Sequence, residues 1–118
     1  DFSTITTTGK AAPMTVDGIT ITPAKATGAT DPGTNKAGEW RLYKQNTLKV
    51  SGATITKIEI TTNGTMGSTV SVNAGTLTKD APILNWAGSA PEVIITNGTA
   101  SDEKTQLQMK KIVVTYTE

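Results

Sequence analysis

Thr54-Ile55-Thr56-Lys57-Ile58-Glu59-Ile60 alternates apolar and polar residues, but the alternation slips: Ile55 is at an odd position while Ile58 and Ile60 are at even ones. A period of two is what a pleated strand with one buried face requires. The slip means that one extra residue must be absorbed near Thr56-Lys57, and a β-bulge does that. The C-terminal stretch repeats the defect: Leu107 and Met109 are odd, Ile112, Val114 and Tyr116 are even, and Lys110-Lys111 lies between. Two strands with a shared parity switch are expected to be neighbours at a bend where a sheet curls.

The same alternation recurs along the rest of the chain in short runs separated by turn residues. Asp17-Gly18 signals a turn at the start of a strand over 16–22, with Ile19 and Ile21 on one face and Pro23 stopping regular pairing. Phe2 and Ile5 form a loose opening strand before it. Residues 24–38 carry Gly28, Asp31, Pro32, Gly33 and Gly38 and almost no apolar side chains, and read as a long loop. Loops of that length are uncommon unless they function or are disordered. In 39–43, Trp40 and Leu42 share the inward face and Arg41 and Tyr43 the outward one. Residues 46–50 resume with Leu48 and Val50 inward, and Ser51-Gly52 is expected to turn the chain into the stretch quoted above.

Asn63-Gly64 is a hairpin signal, followed by a Met66-Gly67 loop and strands over 69–72 and 76–78. A strand over 83–86 ends at Ala87-Gly88-Ser89-Ala90-Pro91, and another spans 92–96 before Asn97-Gly98. A polar run over 99–105 then leads to the last strand. No window carries a helical apolar stripe. Eight to ten short strands without a covering helix predict one all-β domain over 1–118, a two-sheet antiparallel sandwich of jelly-roll type.

Composition limits the chemistry. The 118 residues contain neither Cys nor His, which excludes disulfides, thiolate metal sites and imidazole bases. Eleven basic and ten acidic residues leave a net charge of +1, without the basic stripe that nucleic acid demands. No run is apolar enough for membrane insertion. The N-terminus lacks an initiator Met and a signal-peptide pattern and reads as that of a mature or excised segment. Thr-rich, Cys-free β sequence is expected in an extracellular or bacterial cell-surface setting.

The pattern Arg41-Leu42-Tyr43-Lys44-x-Asn46-Thr47-Leu48, then Ile55-Thr56-Lys57-Ile58-Glu59-Ile60, Asn85-Trp86-x-Gly88-Ser89 and Lys111-Ile112-Val113-Val114-Thr115-Tyr116 carries a resemblance. From about Asp17 to Tyr116 the chain resembles β-sandwich accessory modules of secreted proteins and lipoproteins from Bacteroidetes and gut Firmicutes. The resemblance implies a module of a larger surface protein or hydrolase, similar in architecture to carbohydrate-binding modules. It implies no catalytic residues and carries over no ligand contacts.

Paired carboxylates could hydrolyse glycosides without histidine. Most of the acids here, however, sit beside turn residues or lysines, and only Asp102-Glu103 are adjacent, in a polar loop; no enzyme is expected. Asp17, Asp31 and Asp102 are the candidate donors for a structural calcium, since loop carboxylates and carbonyls suffice for that ion. Sugar binding needs an aromatic plane flanked by hydrogen-bonding groups. Aromatics make up only 4% of the chain, so each ring counts. Trp40 is expected in the core. Trp86, next to Ala87-Gly88-Ser89, could end a strand at an exposed loop edge or pack inward. Tyr43 with Arg41, Gln45 and Asn46 is the best polar and aromatic cluster.

Asn63-Gly64-Thr65 and Asn97-Gly98-Thr99 fit the glycosylation pattern but are more simply hairpin turns. The expectation is a non-catalytic extracellular module for a carbohydrate or a host- or cell-surface ligand, with Trp86, Tyr43, Arg41, Gln45 and Asn46 as contacts. The alternative is a structural or assembly subunit: a virion decoration domain, a pilus or fibre component, or a stalk spacer.

Overall fold

The computed structural model describes residues 1–66, 69–102 and 105–118. They form ten strands, β1 (Phe2–Thr6), β2 (Met14–Val16), β3 (Ile19–Ala24), β4 (Gly33–Thr34), β5 (Trp40–Leu42), β6 (Thr47–Thr62), β7 (Val70–Val72), β8 (Thr76–Asp80), β9 (Ile83–Asn97) and β10 (Leu107–Thr117). Among the described residues there is no helix.

β6 and β9 pair along nearly their whole lengths, from Thr47↔Thr96 to Thr61↔Ile83, and form a two-stranded ribbon. One side of β6 carries β9; the other carries β3 along 47–51 and then β10 along 54–62. The free side of β9 takes β8 against 83–87 and β7 against 95–97. β10 is flanked by β1 and β5, β5 by β4, and β3 by β2. All ten strands belong to one curled antiparallel sheet. Two expected strand breaks are absent, because Ser51-Gly52 and Ala87–Pro91 lie inside continuous strands that bend rather than end.

Both parity slips are bulges in one strand pair. Tyr116↔Ile55 is followed by Thr115↔Lys57, so Thr56 is the extra residue in β6. Met109↔Thr62 is followed by Lys111↔Thr61, so Lys110 is the extra residue in β10. Each bulge moves the next isoleucine onto the inner face. The Thr56 hydroxyl donates to the carbonyl of Thr115 at 3.2 Å across the first bulge.

A further irregularity between Ser51 and Ile55 marks where the ribbon folds. There Gly52 has φ +118°, and a side chain on it would collide with the carbonyl oxygen of Gly18. The β2–β3 hairpin turns through Asp17 (φ 52°) and Gly18 (φ 81°), as a two-residue turn of the hairpin type requires. Pro23 pairs with Leu48 without ending β3, since β2 stops opposite Ile21 and leaves that edge without a partner strand. The core draws Leu48, Val50, Ile55, Ile58 and Ile60 from β6, Leu84, Trp86, Val93 and Ile95 from β9, and Ile112 and Val114 from β10. Trp40 joins them, fully buried.

Candidate functional site

β5 places Arg41 and Tyr43 on the outer face, half-buried, while Trp40 and Leu42 point inward. The Tyr43 ring lies against Gly33 of β4: a Cβ built there would be 3.7 Å from the ring. Arg41 Nη1 donates to the Tyr43 hydroxyl at 3.1 Å, and its guanidinium carbon is 5.7 Å from the ring centroid. Arg41 Nε is buried and has no partner among the described residues.

Next to this pair is a cluster that sequence reasoning missed. Gln108 of β10 is opposite Arg41. Its Oε1 accepts from Asn35 Nδ2 and from Asn63 Nδ2, each at 2.8 Å. Its Nε2 donates to Gln106 Oε1 at 2.9 Å. Glu39 Oε1 accepts from Asn35 at 2.9 Å and from Asn63 at 3.3 Å. Asn35 is itself fixed, because its Oδ1 accepts the backbone N–H groups of Ala37 and Glu39 at 2.9 and 3.0 Å. The result is a preordered patch of amides and one carboxylate that adjoins an arginine and a tyrosine. These residues are up to 73 positions apart in the chain, and no local spacing announces them.

Gln45 and Asn46 do not join that face. Asn46 is fully buried, and its side chain is a brace. Its Oδ1 accepts the Tyr43 N–H at 2.8 Å, and its Nδ2 donates to the carbonyls of Lys25 and Thr30 at 3.1 and 2.7 Å. Fully buried, with Oδ1 on Tyr43 and Nδ2 on the long loop, it is out of reach of a ligand. Gln45, at φ 65°, donates from Nε2 to the Thr27 hydroxyl of the same loop at 3.1 Å. Asn97, also fully buried, reinforces this end of the sheet through Nδ2 bonds to the carbonyls of Leu42 and Tyr43 at 3.1 and 3.2 Å. Its burial makes Asn97-Gly98-Thr99 a turn and not a modification site.

Trp86 packs inward, 1% exposed. Its indole Nε1 donates to the Ala74 carbonyl at 2.7 Å. Gly75 and Gly88 make room for the ring, since a Cβ on either would come within 2.6 Å of Nε1 or 2.8 Å of Cζ2 respectively. The glycine beside Trp86 is a slot for the indole, not a loop edge, and the ring offers no platform for stacking. On the outward face of this strand, Ala87 and the Trp86 position line an open depression of about 360 Å³. Thr56, Lys57, Thr76, Thr78 and Asn85 complete its lining.

The calcium candidates lie on separate turns. Asp17 accepts from the Ser3 hydroxyl at 3.1 Å, Asp102 accepts from the Thr99 N–H at 2.6 Å, and Asp31 is exposed in the long loop. Among the described residues no group of three or more acidic side chains converges on a cation position. Glu103, the neighbour of Asp102, and Gly67 of the Met66-Gly67 loop lie outside the described residues. Compared with known proteins, the chain matches no family model and no curated relative.

Proposed function

We propose that this domain is a non-catalytic module that binds a carbohydrate or another polar cell-surface ligand through the outer face of β4, β5 and β10. The observation that carries this reading is the double acceptance at Gln108 Oε1, which holds Asn35 and Asn63 in place next to Arg41 and Tyr43. Amides, a guanidinium and an aromatic ring are the groups that recognise sugar hydroxyls and C–H faces. Because they are ordered before a ligand arrives, binding loses less side-chain entropy. The curled sheet folded over a single core is read as a sandwich of jelly-roll type. The resemblance to surface-protein accessory modules supports the same reading, with the domain outside the cell as part of a larger protein.

A glycan array followed by titration tests this reading. The expected result is a glycan whose binding falls with Tyr43→Ala and with Gln108→Ala; an array with no hit rejects the carbohydrate reading.

A second reading, an assembly subunit, has one observation in its favour. Among the described residues β8 pairs with β9 alone, which leaves one backbone edge open to a further strand. A discrete oligomer or fibre in a solution-mass measurement would support that reading, and a concentration-independent monomer would not.

A further inference from the structure

We propose that the depression over Ala87 is a second binding site, distinct from the Tyr43 face, for a single sugar ring that carries a carboxylate.

Strand register builds the site. Across β10, β6, β9 and β8 the outward residues form rows, with Thr115, Lys57, Ala87 and Thr76 in one and Val113, Glu59, Asn85 and Thr78 in the next. Ala87 is the smallest of these, so the face is hollow there, and the Thr56 bulge lies at the border of the hollow. Its volume of about 360 Å³ is at the lower end of small-molecule sites (~300–1,000 Å³) and suits one ring better than a chain. The Ala87 methyl and the threonine methyls provide apolar contact for the C–H face of a ring.

The polar groups around the hollow are uncommitted. Lys57, Thr76, Thr78 and Asn85 make no side-chain hydrogen bond or ion pair among the described residues. Only the Thr56 hydroxyl is committed, to the carbonyl of Thr115. An ammonium, an amide and two hydroxyls are thus free to meet a hydroxylated ligand.

Charge sets the orientation. Lys57 is in the Ala87 row, whereas Glu59 is one row further along, opposite Asn85, and Asp80 lies beyond Thr78 on β8. A carboxylate is attracted at the Lys57 end and repelled at the Glu59 end, so an acidic sugar enters one way round, while a neutral sugar gains only an uncharged hydroxyl contact with Lys57.

The test is an NMR titration of the full chain with glucuronate, glucose and acetate. Saturable shifts at Lys57, Asn85 and Ala87 are expected with glucuronate, and binding about threefold to fivefold weaker with glucose and with acetate. Lys57→Gln should remove the preference for glucuronate over glucose, and Ala87→Phe should remove binding by filling the hollow. In Tyr43→Ala the shifts at Lys57, Asn85 and Ala87 should persist, which separates this site from the first. Absence of saturable shifts at these residues, equal affinity for glucose and glucuronate, equal affinity for acetate and glucuronate, or an unaltered preference in Lys57→Gln would each overturn the proposal. Lys57 is exposed, so that variant stays interpretable even if Ala87→Phe impairs folding.

Discussion

The indole Nε1 of Trp86 donates to the backbone carbonyl of Ala74 at 2.7 Å, tying the β7–β8 turn to the inner face of β9. Trp86 is therefore an anchor for an edge of the sheet. Replacing it with Ala should cost about 3–5 kcal/mol of unfolding free energy, the usual range for a buried large aromatic, measured by urea denaturation. Trp86→Phe keeps most of the volume and loses the bond to Ala74, and should cost about 1–3 kcal/mol. Gly88→Ala should also destabilise, because its Cβ would press on the same ring. None of the three should change ligand binding at the Tyr43 face, which lies on other strands.

Asn46→Ala removes three hydrogen bonds at once, to the Tyr43 N–H and to the carbonyls of Lys25 and Thr30. The expected loss is about 2–4 kcal/mol, since buried backbone groups lose their partners. Hydrogen exchange should show the effect concentrated in the loop over 25–32, with the β6–β9 ribbon still protected.

Gly52→Ala should destabilise by at least about 2 kcal/mol, because its φ of +118° is unfavourable for a side chain and its Cβ would strike the Gly18 carbonyl. Ser51→Ala, one residue earlier and without either constraint, is the control and should fall within about 0.5 kcal/mol of the parent.

Fold and site differed in how far the sequence revealed them, and the reason is range. Bulges leave a local trace, because a strand that must keep its inner face apolar shows a parity slip where the extra residue sits; the slips near Thr56-Lys57 and Lys110-Lys111 were legible for that reason, and the register assigns them to Thr56 and Lys110. Trp40 was legible as core because it alternates with Leu42. A bend within a strand looks in sequence like a turn between strands, since both use glycine and small polar residues, so β6 and β9 each read as two strands. The same ambiguity concealed Trp86, whose neighbouring Gly88 accommodates a ring instead of opening a loop. Tyr43 and Arg41 could be paired from spacing alone, whereas Asn46 is committed to carbonyls 16 and 21 positions away. The amide patch joins Asn35 to Gln108 across 73 positions, so only the folded sheet brings it together.

The central claim is that the β4–β5–β10 face binds a hydroxylated ligand, and calorimetric titration of the best glycan-array hit tests it most directly. Tyr43→Ala and Gln108→Ala should each weaken binding about tenfold or more, equivalent to about 1.4 kcal/mol, with both variants still folded at the temperature of the titration. Unchanged affinity in both variants would contradict the account, as would the failure of any glycan to bind the parent chain.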